Sequence, residues 1–179
     1  MLERIILAIT IALSVSFLAQ SQTRVVYVAP GLGIDGITVG YSTKNSVTSK
    51  YGDDYSLIEH NKYSYEMKYY DQGMSFWYRY GDPEQKIFSI SVRGSSRGFT
   101  GRGIFVGRST LQDVVDAYGK VDGFSPFAQE TWSVEYSGVV FHVAYKESDN
   151  TRWTREQLLK RKIVEIEVIA IEAETPDPQ

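Results

Sequence analysis

The side chains able to do chemistry in this sequence are few, and their spacing serves no familiar reaction. There are two histidines, His60 and His142. A zinc site needs several ligands at defined spacing, such as two histidines four apart on a helix, and neither histidine has such a neighbour. Both are expected at the surface, with His142 on the outer face of its strand. Cysteine is absent, which excludes disulfides, thiolate nucleophiles and cysteine-bound zinc. Ser42 and Ser109 follow glycines, but no nucleophile elbow with a histidine and an acid accompanies them. Helix capping accounts for both serines. Glu165 and Glu167 stand on one strand face, about 7 Å apart given the strand rise. Glycosidases use such separations, but alternating glutamates on a strand are expected to solvate an exposed face. The run from Gly103 to Ser109 imitates a phosphate loop with three intervening residues in place of four and arginine in place of lysine. The same glycine spacing at Gly36 and Gly40 carries no basic residue, so the glycines serve as turn devices. Arg93, Arg97, Arg102 and Arg108 read as a solvated linker, because the net charge is −3 and argues against nucleic acid. No catalytic residue, metal or cofactor is expected.

Aromatic residues make up 13% of the chain. Trp77 and Tyr70 fall out of phase with the apolar face of their strands and would project outward with Lys68, Arg79 and Glu66. Tyrosine, tryptophan and arginine dominate protein interfaces. The candidate binding set is therefore Trp77, Tyr70, Arg79, His142, Glu165 and Glu167 on one outer sheet face. The other reading, burial beneath a covering element, stays open.

The elements that must position these residues come from a sequence written twice. Gly36 to Gly52 (GITVGYSTKNSVTSKYG) and Gly103 to Gly119 (GIFVGRSTLQDVVDAYG) match at nine of seventeen positions without a gap, which indicates internal duplication. In each copy a serine is expected to cap a short helix, with Gln112 completing a capping box in the second, and glycine ends it. Val47 and Tyr51 share one helix face, as do Leu111, Val114, Val115 and Tyr118. Strands follow in alternating pattern. Tyr63, Tyr65, Met67 and Tyr69 form one apolar row, Met74, Phe76, Tyr78 and Tyr80 the next, and Phe88, Ile90 and Val92 a third; Tyr55 to His60 is a weaker fourth strand. The second copy repeats the plan through Trp132, Val134 and Tyr136, then Gly138 to Phe141, then Lys162 to Val168. An insertion from His142 to Arg161 separates the last two, and its residues 151–160 suggest a helical turn or two.

The resulting fold class is α+β: two tandem repeats, each a short helical segment packed on a three- to four-stranded antiparallel meander. Residues 1–21 read as a signal peptide. Ile5 to Leu18 is an apolar run shorter than the roughly twenty residues a membrane span needs. Cleavage is expected near Ser21, an uncleaved anchor being the alternative, and either places the body outside the cytoplasm, periplasmic or secreted. Residues 22–35 form an N-terminal extension with a short edge strand, 36–93 the first repeat, 94–102 a loop linker, 103–171 the second repeat and 172–179 a disordered tail.

The unit G-I-x-V-G-x-S-T-x-x-x-V-x-x-x-Y-G, followed by an aromatic strand and K-I-x-x-I-x-V, resembles the repeat of the β-lactamase inhibitory protein fold. The plan is similar to that of the small outer-membrane assembly lipoproteins of the SmpA/OmlA type. The resemblance implies a helix on a four-stranded sheet and, in tandem form, a concave sheet surface that grips another protein. The cysteine of the lipoprotein branch and the disulfides of the inhibitors are missing here, so no partner and no site residue carries over. The expectation is an exported, non-catalytic protein-binding module with a protein partner in the cell envelope or outside the cell. A small-ligand or glycan binder using the same aromatics and a structural envelope component are the alternatives.

Overall fold

A computed structural model of the chain describes residues 25–94, 97–120, 125–127, 131–144 and 153–171. The expected signal peptide (1–21) and tail (172–179) lie outside the described residues. In chain order the elements are β1 (Val25–Ala29), β2 (Gly33–Ile34), β3 (Ile37–Thr38), α1 (Lys44–Tyr51), β4 (Ser56–His60), β5 (Ser64–Tyr69), β6 (Met74–Arg79), β7 (Ile87–Arg93), β8 (Arg97–Thr100), α2 (Leu111–Tyr118), β9 (Ser125–Phe127), β10 (Thr131–Tyr136), β11 (Val139–Ala144), α3 (Arg155–Leu159) and β12 (Ile163–Ile169). The molecule is mostly β. An eight-stranded sheet runs β4-β5-β6-β7-β12-β11-β10-β9, and a four-stranded sheet runs β3-β2-β1-β8. All neighbours in the large sheet pair antiparallel.

Period-two alternation builds the large sheet. Met67, Tyr69, Met74, Phe76, Ile90, Val92, Val134, Phe141, Ile166 and Val168 are buried on one face. The helices and the small sheet cover that face, and its core includes Val47 of α1, Val114 of α2 and Val26 and Val28 of β1. The spacing K-I-x-x-I-x-V cannot keep both isoleucines on one face of a regular strand. The register shifts between Trp77 and Tyr78 on β6, which pair with Ser89 and Ile87. It shifts again between His142 and Val143 on β11, which pair with Glu165 and Ile163. The extra residues, Phe88 and Val164, are bulged, and each bulge returns an isoleucine to the core. Phe88 is therefore not in the core row expected for it; it is half-buried, with the Arg79 guanidinium 5.3 Å from its ring. Tyr63 and Tyr80 also leave their rows, because both lie in turns beyond the strand ends, 81% and 53% exposed.

The helices begin one residue later than expected. Thr43 and Thr110 are the N-caps, in capping boxes with Ser46 and Asp113, so Gln112 is not part of one. Ser42 and Ser109 instead accept hydrogen bonds from the backbone N–H groups of Thr38 (2.9 Å) and Phe105 (3.0 Å), closing the turn before each helix. Each helix has eight residues, too few to stand alone in water, so packing holds them. The Tyr69 hydroxyl donates to Gly52 O at the end of α1, and the Tyr136 hydroxyl donates to Gly119 O at the end of α2, both at 2.7 Å.

The linker expected at 94–102 contains strand β8. It pairs in parallel with β1 and lies so close to β7 that a Cβ on Gly98 would stand 2.5 Å from Val92 Cγ1. In consequence β1 is an interior strand of the small sheet, not an edge. The insertion does hold a helix, α3, whose Leu158 is buried.

Candidate functional site

Alternation along the same strands fixes the second face of the large sheet, the one the helices do not cover. Rows of paired residues cross it. One row runs Glu66, Trp77, Ser89 and Ile169; the next runs Lys68, Ser75, Ser91, Glu167 and Val140; a third runs Arg93, Glu165, His142 and Ser133. Its centre is polar and closed. Glu66, Ser75, Ser89, Ser91, His142, Ser133 and Glu165 are all buried. His142 is 1% exposed and Glu165 7%, which corrects the expectation that His142 and the glutamates are solvated surface residues.

Burial of charge requires partners, and these groups have them. Glu167 accepts from the Ser89 hydroxyl at 2.5 Å and shares a hydrogen bond with His142 Nε2 at 3.1 Å. Burial pushes the Glu167 carboxyl up, but the His142 and Ser89 hydrogen bonds and the charge of Arg93 outweigh it and hold the carboxyl below its ordinary range. Arg93 Nε lies 2.8 Å from Glu165 Oε2. Glu66 accepts from Ser75 Oγ at 2.6 Å and meets His60 Nε2 at 3.0 Å, and the His60 ring stacks on Trp77 with centroids 4.5 Å apart. Ser89 and His142 both turn to the same carboxylate. A serine nucleophile needs its base on the hydroxyl; here the carboxylate stands between them.

Three of the candidate binding residues thus come together in one layer, His142 and Glu165 buried and Glu167 half-buried. The other three lie around it. Trp77 is half-buried, and its indole N–H has no hydrogen-bond partner among the described residues. Arg79, two residues along β6, is exposed. Tyr70 is 61% exposed at the far end of the β5–β6 hairpin, roughly 20 Å from Arg79 along the strands. The Lys68 ammonium sits 4.8 Å from the Tyr70 ring. Lys68 and Tyr70 line a depression of about 280 Å³ with Asp54, Asp71 and Gln72.

Sequence reasoning put Glu66 on this face without a role, set His60 aside as a surface histidine, and missed Ser75 and Ser89. The signal was present in outline: serines recur on the off-phase positions of β6 and β7, where small hydroxyls leave room for longer polar neighbours.

No family model matches the chain, and no curated protein matches it. Solved structures do. The crystal structure of the uncharacterized protein YfeY from Escherichia coli superimposes with a TM-score of 0.53 at 14% identity, covering 81% of this chain and 99% of that one. A DUF4309 family protein, YjgB, from Bacillus subtilis matches with a TM-score of 0.46 at 15% identity, over 78% of this chain and 88% of that one. A cysteine-rich secretory protein from Staphylococcus aureus matches with a TM-score of 0.44 at 10% identity, over 83% of this chain and 51% of that one. The YfeY likeness establishes a shared fold.

Proposed function

We propose that this chain is an exported, non-catalytic protein-binding module made of two copies of one unit, and that it holds its partner with the β5–β6 part of the outer sheet face. The observation that carries the binding reading is the division of that face. Its centre is a layer of mutually bonded buried groups, whereas Tyr70, Arg79 and the half-buried Trp77 stand at its margin within reach of a partner. Exposed aromatics and arginine on a rigid support are what an interface uses as anchors. The non-catalytic reading is supported by the Ser89–Glu167–His142 arrangement, in which the serine bonds the carboxylate and not the imidazole.

The two-copy reading is supported by backbone contacts that recur between matched residues of the two copies. Gly40 N–H donates to Ile87 O and Gly107 N–H to Ile163 O, each at 2.7 Å. Ile87 N–H donates to Ser42 O and Ile163 N–H to Ser109 O, each at 2.8 Å. The copies join last strand to last strand. Ile90 pairs with Val168 and Val92 with Ile166, so each residue faces the counterpart of its neighbour, as across a two-fold axis through Ser91 and Glu167. Export rests on the N-terminal apolar run, and periplasmic or secreted residence follows from it. Among the described residues no helix is long and apolar enough to cross a membrane.

The test is affinity capture from the source organism's envelope with the mature protein and two variants, Tyr70→Ala and Arg79→Glu. A protein retained by the wild type and lost with both variants, at unchanged melting temperature, supports the reading. Equal capture by all three contradicts it.

A further inference from the structure

The two halves differ at one aligned position in a way that creates a site. In the first half the Tyr51 hydroxyl, at the end of α1, donates to Asp35 Oδ2 at 3.4 Å. Sixty-seven residues on, Tyr118 ends α2 and the place of Asp35 is held by Arg102. The acceptor has become a cation. The Arg102 guanidinium lies 4.6 Å from the centre of the Tyr118 ring, and its Nη1 donates to Ala117 O at 2.9 Å. One carbonyl contact leaves most of the five guanidinium N–H donors free for something else. The Tyr118 hydroxyl is buried and has no partner in hydrogen-bonding geometry among the described residues. Burial pushes its pKa up, and the nearby Thr100 hydroxyl and Arg102 draw it back in part.

The Arg102 side chain and the Tyr118 residue border a cavity of about 450 Å³ between the small sheet and the end of α2, lined also by Tyr27, Pro30, Tyr136 and Ser137. That volume suits a small organic ligand. No carboxylate is among the lining residues. The nearest acids on α2, Asp113 and Asp116, line a separate depression that Arg102 also borders, where Asp113 accepts from the Thr110 cap and Asp116 from the Gln112 side chain at 2.8 Å. The carbonyls at the helix end, which would repel an anion, are covered at Ala117 by Arg102 and at Gly119 by Tyr136. The cavity therefore offers donors and aromatic walls and lacks a negative charge of its own.

We propose that this cavity binds a small organic anion, a carboxylate or phosphate carried on an apolar ring, with the charge on Arg102 and the ring against Tyr27, Pro30, Tyr118 and Tyr136. The site is separate from the outer sheet face and does not depend on the protein-binding reading.

The test is a titration of the mature protein followed by NMR, reading the Arg102 Nε–H and the amides of Gly101 and Ser137. Phenylacetate and phenyl phosphate are the probes; benzyl alcohol and inorganic phosphate are the controls. Saturable shifts at these three positions are expected with either ring anion. Arg102→Asp, a change at an exposed side chain that restores the first half's acid, should weaken binding by at least about tenfold at unchanged melting temperature. Tyr70→Ala should leave it unchanged. No saturable shift with either ring anion overturns the proposal, as does unaltered binding by the Arg102 variant. Equal binding of benzyl alcohol overturns the role of charge, and equal binding of inorganic phosphate overturns the role of the ring.

Discussion

Glu167 takes a hydrogen bond from each half of the large sheet, Ser89 from β7 and His142 from β11. Glu167→Gln keeps the shape and removes the charge both groups answer to. It should cost about 2–4 kcal/mol, the range for breaking a buried charged network, measured by urea unfolding at pH 7. The carboxyl is held below its ordinary value of 4.5. The unfolded chain therefore takes up this proton first, so the stability Glu167 contributes is full above pH 4.5 and is lost as pH falls below it through the lower folded value. The Gln variant should lack that component of acid sensitivity. Tyr69 has the opposite sign. Burial, then the nearby Tyr55 and Asp53, push its hydroxyl up to about 12. Its contribution is intact below pH 10 and is lost between 10 and about 12, where the unfolded tyrosine ionises and the folded one resists. Tyr69→Phe should cost about 1 kcal/mol at pH 7 through loss of the bond to Gly52 O, and should flatten the fall in melting temperature over that alkaline range.

At the scale of elements, the capping threonines are the plainest targets. Thr43→Ala and Thr110→Ala should each cost about 1 kcal/mol, read from thermal melts, whereas the preceding serines act on the turn. Gly33 is less forgiving: its φ is +146°, and a Cβ there would meet Ile37 O at 1.9 Å. Gly33→Ala should break the β2–β3 hairpin and lower the melting temperature well beyond either cap variant. The sequence displayed much of this level. The nine shared positions marked both helices, and alternation marked β5, β6 and β10. What it hid has physical reasons. The bulges at Phe88 and Val164 arise because two isoleucines three apart must share a face, and a period-two reading assigns Phe88 to the core instead. Strand β8 was obscured by its glycines, since Gly98 reads as loop yet is required for close approach to Val92. His142 and the glutamates read as solvated because alternation shows which face a residue takes and says nothing of what its neighbours on that face will bond.

For the whole molecule, the joining of β7 to β12 makes one continuous sheet with two unlike faces. One carries the apolar core, the helices and the small sheet. The other has a bonded polar centre that gives its margin a fixed base, and the margin carries the residues proposed to reach a partner. The off-phase aromatics pointed to the same face, but the anchors now proposed are Tyr70, Trp77 and Arg79, with His142, Glu165 and Glu167 as their support. The most direct test is photo-crosslinking in the source cell from a benzoyl-phenylalanine placed at Tyr70, with one at exposed Tyr41 on the helix side as control. The account predicts a discrete protein adduct from position 70 that disappears when Arg79→Glu is added, and none from position 41. The same adduct from both positions, or an adduct at 70 indifferent to Arg79, would contradict it.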